Sequence, residues 1–452
     1  MTRARTLLVA ALPLAALLLA APAQADSPQA DSPPHSAQDS YDAGRALERA
    51  GQTSSALSRY LKALLVDGPP HEGAARRLAR MDPAFPLPPS ELRALASRDL
   101  STLPSSVRDG LRHRIGLFQL RSGDLDGARR SLAPIRTAQA RYLLALIAVR
   151  QGRLQAAGGE LEQALTDARR ERKRDLIELV TLSLARIDLE RGRLARAEQR
   201  YASIGVDSVH FFRSQQELAW LHLQQTRWDG VLAISLALSG PETRRPYYPD
   251  RELLQAAALA GLCRHRQALT LARQALARLD SDLKKARKFL RPRREARLYY
   301  VEAMASAARG SGDLGALVGA LLADSGFRRV FQTVRQLQRE RRLAVGPAHR
   351  ALSTELDHRL VWAQQEAGRV VQNVLGRVAG ELVELRTRAR ELLFDLEGQA
   401  VDALRRPERD APRPGARRVV EKGQQRWPFQ GEYWADEIGH YHVDLSRLSR
   451  CR

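Results

Sequence analysis

Residues 42–67 read DAGRALERAGQTSSALSRYLKALLVD, and the spacing of the small residues in this stretch decides the fold. Gly44, Gly51, Ala56 and Tyr60 follow one another at offsets of 7, 5 and 4 residues. The same offsets recur in three further sets, which are Gly116, Gly123, Ala128 and Leu132; Ala145, Gly152, Ala157 and Leu161; and Ala185, Gly192, Ala197 and Tyr201. Self-similarity of this kind indicates an array of one repeated helical unit.

Two weaker copies follow, and each departs from the pattern at the turn. The first has Ala219, Thr226 and Val231, and the second has Ala256, Cys263 and Ala268, so neither carries the turn glycine. After a first step of 72 residues the copies begin 29 to 40 residues apart. The wide first step leaves room for one degenerate pair, and AFPLPPSEL at 84–92 predicts an irregular connection inside it.

This pattern resembles the tetratricopeptide repeat superfamily, whose period is about 34 residues. The resemblance implies an all-α fold, in which residues 41–280 form a right-handed superhelical stack of helix hairpins. It also implies that the first and third residues of each set pack at the helix crossing and that the glycine forms the turn. Hairpins of this kind bury their apolar faces only by stacking, which leaves a concave surface lined by the first helix of each pair.

In the same register, five side chains are expected to face that concave surface. They are Tyr142, Arg186, Arg213, Gln216 and Trp220. Tyrosine, tryptophan and arginine are enriched at binding hot spots, so these residues are the predicted protein-binding positions. The alternative for each of the five is a structural role. For Trp220, this role would be packing between neighbouring helix pairs.

Helical periodicity continues through 281–405, where the repeat signature fades. Residues 348–405 contain no proline, and apolar residues recur there about every 3.7 residues. We predict one long amphipathic, coiled-coil-like helix over this range. Its apolar stripe must pack on the preceding helices or on a partner chain, and the sequence leaves both options open.

The N-terminus predicts export. Arg3 and Arg5 precede an apolar run from Leu7 to Ala20 and a small-residue triplet that ends at Ala25, which is the layout of a secretory signal over 1–25. A retained anchor is the alternative, but the run is shorter than the ~20 residues that cross a bilayer. Residues 26–40 are polar and predict a disordered leader. The mature chain shows no further span, so we expect it in the periplasm or cell envelope.

The formal net charge is +22 and the sequence pI is about 10.9. Export and the excess of arginine over lysine argue against a nucleic-acid partner. Anionic lipid, lipopolysaccharide or acidic proteins are the polyanions available to an exported protein. Basic clusters at 169–174, 284–294 and 339–342 fit such partners, and the alternative is that each is a solvated helix face.

Residues 406–423 are rich in proline and arginine and predict a charged linker, and residues 424–452 form an aromatic and acidic segment. The aromatic residues of this segment are Trp427, Phe429, Tyr433, Trp434 and Tyr441. We predict that it docks on helices of this chain or in a partner groove. Its sequence is similar to tails of gliding-motility-associated and related envelope repeat proteins. A second hypothesis is a metal site formed by His440, His442, Glu432 and Asp436, although their spacing matches no known signature.

The sequence contains no phosphate-binding glycine loop, nucleophile elbow or metalloprotease helix motif. We therefore predict a non-catalytic adaptor without a cofactor that holds envelope proteins together. One alternative is a binder of anionic envelope polymers through the arginine clusters, and another is a metal-dependent activity in the C-terminal segment.

Overall fold

The computed structural model describes residues 36–81, 87–239, 247–309, 314–344 and 350–405, without the side chains of 400–405. Within these residues every regular element is a helix, which confirms the all-α prediction. The helices are α1 (Ala37–Arg49), α2 (Thr53–Leu65), α3 (Glu72–Arg80), α4 (Pro89–Ala96), α5 (Ser105–Ser122), α6 (Leu125–Leu132), α7 (Ala138–Arg150), α8 (Leu154–Arg170), α9 (Arg174–Glu190), α10 (Leu194–Ala202), α11 (Phe211–Gln224), α12 (Trp228–Ala237), α13 (Arg251–Gly261), α14 (His265–Phe289), α15 (Arg297–Arg309), α16 (Leu317–Ala323), α17 (Ser325–Leu343) and α18 (Arg350–Arg405). None of them combines the length and the apolar content that a membrane span requires.

The first helix begins earlier than the leader predicted over 26–40 allows. The Ser36 side chain accepts a hydrogen bond from the Asp39 amide, and the Asp39 carboxylate accepts one from the Ser36 amide. This reciprocal cap satisfies two amides that would otherwise lack a partner, so the helix starts at Ala37. The predicted export signal, the linker at 406–423 and the segment at 424–452 lie outside the described residues.

Six helix pairs contain the repeated spacing, and in each the two helices pack on one another. The pairs are α1 with α2, α5 with α6, α7 with α8, α9 with α10, α11 with α12, and α13 with α14. At the first crossing, a Cβ added to Gly44 would lie 2.6 Å from the Tyr60 ring. A Cβ added to Gly116 would lie 2.5 Å from the Leu132 side chain. Both glycines therefore allow an approach of the two helices that a larger residue would block.

The turn of each pair has one geometry, whether or not it contains glycine. The turn residue has a positive φ in all six pairs, at Gly51, Gly123, Gly152, Gly192, Thr226 and Cys263. The amide that follows it donates to the carbonyl five residues earlier, at 2.8 to 2.9 Å, as in Gln52 to Leu47 and Arg227 to His222. This bond closes the helix C-terminus and sets the turn, so the weaker copies keep the turn of the others. Cys263 is disulfide-bonded.

Thr226 adopts this left-handed turn with φ 58°, which is unfavourable for a β-branched residue. We expect Thr226→Gly to raise the free energy of unfolding by about 1 kcal/mol. Glycine removes the backbone strain from the folded state, and this gain is larger than the stabilisation that its extra conformational entropy gives the unfolded state. Chemical denaturation measures the change. Thr166→Gly, on the exposed face of α8, is the matched control and should lower stability. Equal effects of the two substitutions would contradict the argument.

The long helix α18 contains 56 residues and extends for about 84 Å at 1.5 Å per residue. It packs against α13, α14, α15, α16 and α17, so its apolar stripe is buried within this chain. Near its start, Glu355 forms an ion pair with Arg59 of α2 at 3.1 Å. Near its end, Glu397 forms an ion pair with Arg273 of α14 at 3.1 Å. One helix thus joins the first hairpin to the last.

Candidate protein-binding surface

The five predicted binding residues come from three helices, and the structure brings four of them together. Tyr142 lies on α7, Arg186 on α9, and Arg213, Gln216 and Trp220 on α11. Arg186 and Arg213 bind the buried carboxylate of Glu217, and Gln216 and Trp220 bind that of Asp250. This part of the surface is therefore an ordered network.

Glu217 is the first of these carboxylates, and two arginines hold it. The Arg186 Nη2 and Nε groups donate to its two oxygens at 2.7 and 2.9 Å. The Arg213 Nε group donates to the same carboxylate at 2.7 Å. Burial alone would raise the pKa of Glu217, but the two guanidinium charges and their hydrogen bonds lower it to about 2. The carboxylate is therefore ionised at neutral pH and ties α9 to α11.

Asp250 is the second carboxylate, and it receives the other two predicted side chains. It directly precedes α13 and is fully buried. Gln216 Nε2 donates to one of its oxygens at 2.8 Å, and Trp220 Nε1 donates to the other. Burial raises the pKa of Asp250, and these two hydrogen bonds act in the opposite direction. The polar edge of Trp220 is thus directed into the protein.

Tyr142 lies beside this network, packed against the cluster formed by α7, α8 and α9 and close enough to Arg186 to feel its charge. Burial raises the pKa of its hydroxyl, partly offset by a hydrogen bond with Ser183 and by the charge of Arg186. Tyr142 is thus a half-buried packing residue whose hydroxyl is already engaged.

A side chain of the long helix α18 reaches the α11 face. The Arg388 guanidinium is 5.0 Å from the centre of the Trp220 ring, within the range of a cation–π contact. Glu381 faces the same region: burial raises its pKa, Arg213 opposes the shift, and Asp250 and Glu217 add to it. The surface around α11 is therefore composite, with side chains from both α11 and α18.

Solvent access differs among the members of this network. The Glu217 side chain is 4% exposed, whereas the Arg213 side chain is 46% exposed. Arg213 thus has its Nε fixed by a buried carboxylate while nearly half of its side chain is exposed. The Arg186 side chain, at 28% exposure, is less accessible.

The described residues contain no group of three or more His, Cys, Asp or Glu side chains arranged to hold a metal ion. The metal candidates His440, His442, Glu432 and Asp436 lie outside the described residues. So do the aromatic docking candidates Trp427, Phe429, Tyr433, Trp434 and Tyr441. Their predictions stay open.

Sequence reasoning did not single out Glu217, Asp250 or Glu381, which organise this site. One signal was present, because Arg213 and Glu217 are four residues apart and lie on one helix face. The other partners of the two carboxylates are 30 or more residues away in sequence.

No known protein-family model matches this chain, and comparison with curated proteins finds no similar sequence.

Proposed function

We propose that this protein is a non-catalytic adaptor of a bacterial envelope, which binds another envelope protein through the composite surface of α11 and α18. The observation that carries the proposal is the state of Arg213, which is held by buried Glu217 and is still 46% exposed. An arginine already fixed in place loses little conformational entropy on binding, and arginine is enriched at binding hot spots. The ring of Trp220, two turns further along α11, is partly buried and packs against Arg388 of α18 and two core clusters.

The repeated architecture supports this proposal. Hairpins that share one spacing and one turn geometry fit a right-handed superhelical stack of tetratricopeptide type. Ion pairs tie separate helices together. Glu217 joins α9 to α11, and Glu355 joins α18 to α2. A rigid frame of this kind suits a protein that positions partners.

The proposed location outside the cytoplasm has two supports. The N-terminal sequence has the layout of a secretory signal that ends at Ala25. The disulfide bond at Cys263 fits an oxidising compartment, where such bonds persist.

The test is chemical cross-linking and capture of partners from an envelope extract, with residues 26–452 as bait. We expect the Arg213→Ala bait to lose partners that the unmodified bait retains. For a hot-spot arginine the binding affinity should fall tenfold or more, which corresponds to about 1.4 kcal/mol. The fold should persist because Arg186 still pairs with Glu217 through two hydrogen bonds. Thermal unfolding of the variant checks this.

Arg93→Ala, an exposed arginine of α4, is the matched control and should retain every partner. Equal capture by the two variants would contradict a role for this surface. A bait without residues 424–452 tests the docking segment separately. If no bait captures a protein and all bind lipopolysaccharide equally, the adaptor proposal gives way to polymer binding.

A further inference from the structure

Cys263, at the turn between α13 and α14, is disulfide-bonded. The sequence contains two cysteines, Cys263 and Cys451. Within one chain this leaves Cys451, the residue before the C-terminal arginine, as the partner of Cys263. Such a bond fixes the end of the segment at 424–452 to a defined place on the helices.

The direction of α18 brings the chain toward the same place. Arg386 of α18 pairs with Asp280 of α14 at 2.5 Å, and Glu397 pairs with Arg273 at 3.1 Å. The two helices therefore run antiparallel. Helix α18 ends eight residues after Glu397, and α14 begins eight residues before Arg273. Both ends thus lie about 12 Å beyond this ion pair in one direction, and the chain leaves α18 near the α13–α14 turn.

The α13–α14 turn is also more covered than the equivalent turns. In the other five described pairs the turn residue is exposed, including Thr226, which has the same φ of 58° as Cys263. At the α13–α14 turn Cys263, Arg264 and His265 are all half-buried. The backbone of the two turns is alike, so the additional cover comes from outside the α13–α14 hairpin.

The length of the tail does not select this turn. The 45 residues between α18 and Cys451, treated as a flexible chain, have a root-mean-square end-to-end distance of roughly 35 Å or more. The α11–α12 turn belongs to the neighbouring pair, whose α12 packs on α13, and packed helix axes are about 10 Å apart. A flexible tail would therefore reach both turns, and preference for one of them requires docking.

We propose that a disulfide bond between Cys263 and Cys451 holds the segment at 424–452 on the α13–α14 turn, so that this segment docks on helices of its own chain. The bond forms when the two thiols lose two protons and two electrons to a second disulfide, which is reduced to two thiols. The proposal goes beyond the adaptor function and does not depend on it. It assigns the segment to this chain and not to the groove of a partner.

The test is peptide mapping of residues 26–452 after equilibration with glutathione disulfide, alkylation of the remaining thiols and digestion with trypsin. We expect peptide 252–264, which reads ELLQAAALAGLCR, to be linked to the dipeptide 451–452 and to be released from it by reduction. The unreduced protein should have the mass of one chain. Free thiols, glutathione adducts at both cysteines, or a covalent dimer would overturn the proposal.

The matched control moves the cysteine to the equivalent turn of the neighbouring pair, by Thr226→Cys together with Cys263→Ser. Position 226 has the same backbone conformation and is more exposed, so access favours the control. A docked segment holds Cys451 at a high effective concentration beside position 263 alone. We therefore expect the ratio of linked protein to glutathione adduct to be about tenfold or more lower in the control. Equal linkage would show a flexible tail and would overturn the docking.

Hydrogen exchange checks the cover independently of the bond yield. In Cys451→Ser, amides of peptide 252–264 should exchange faster than in the unmodified protein, whereas those of the turn at Thr226 should be unchanged. Equal circular dichroism confirms that the helices persist. Unchanged exchange in peptide 252–264 would contradict docking at this turn. None of these measurements uses a binding partner, so failure of the adaptor proposal and failure of this one are distinguishable.

Discussion

Replacing Glu340 with alanine is expected to lower the free energy of unfolding by about 3 kcal/mol. Glu340, on α17, is 1% exposed, and its carboxylate lies at the start of α2. It accepts hydrogen bonds from the amides of Ser54 and Ser55 at 2.8 and 3.0 Å, and from the Ser55 hydroxyl at 2.7 Å. Alanine would leave these buried donors without that acceptor, and each such loss costs roughly 1–3 kcal/mol. Urea denaturation at neutral pH measures the change.

Glu72→Ala is the control, because Glu72 forms an exposed ion pair with Arg76 and should contribute less than about 1 kcal/mol. Hydrogen exchange provides a local readout, since the amides of Ser54 and Ser55 should exchange faster in the Glu340 variant than in the control. Unchanged exchange at these amides, together with a stability equal to that of the control, would show that Glu340 does not hold α17 to α2.

The contact at Glu340 also shows what local patterns cannot predict. Glu340 and Ser54 are 286 residues apart, and nothing in the spacing around either residue points to the other. The position of α18 is a similar case. Its apolar periodicity predicts a buried stripe, but the identity of the covering helices depends on how the whole chain closes, so a partner chain was an equal option.

The hairpins were more accessible to sequence reasoning because their contacts are local. The crossing of α1 and α2 joins Gly44 to Tyr60, only 16 residues later, and the spacing itself encodes this approach. The absence of the turn glycine from two copies was a weaker guide to the local structure. At Thr226 and Cys263 the same left-handed turn forms without glycine, because the hydrogen bond that closes the helix end outweighs the steric cost.

The candidate site was predictable only in part. Register on the first helix of a pair places Arg213, Gln216 and Trp220 on one face, and the structure has them in one network. The buried carboxylates at the centre of that network were not evident, because an acidic residue in a chain with 27% charged residues looks like part of a solvated surface. Their burial depends on α11 packing against α9 and α13.

Replacing Glu217 with alanine is expected to cost about 3 kcal/mol, because Arg186 and Arg213 would lose their common partner in a buried site. The pH dependence gives a second measurement. The pKa of Glu217 is lowered to about 2 in the folded protein, against about 4.3 for an unfolded glutamate. Its contribution is therefore complete above about pH 4.3 and is lost as the pH falls toward about 2. The variant should lose stability less steeply with acid than the unmodified protein.

Glu162→Ala is the matched control for Glu217, since Glu162 also contacts two arginines, Arg196 and Arg200, but is 48% exposed. Its removal should cost about 1 kcal/mol or less, because water screens an exposed ion pair and solvates the arginines when the carboxylate is gone. Urea denaturation of both variants at neutral pH and across the acid range separates the two cases. If the two variants had equal stability and equal acid dependence, burial of Glu217 between α9 and α11 would have no energetic consequence, and the network would not hold Arg213 in place for a partner.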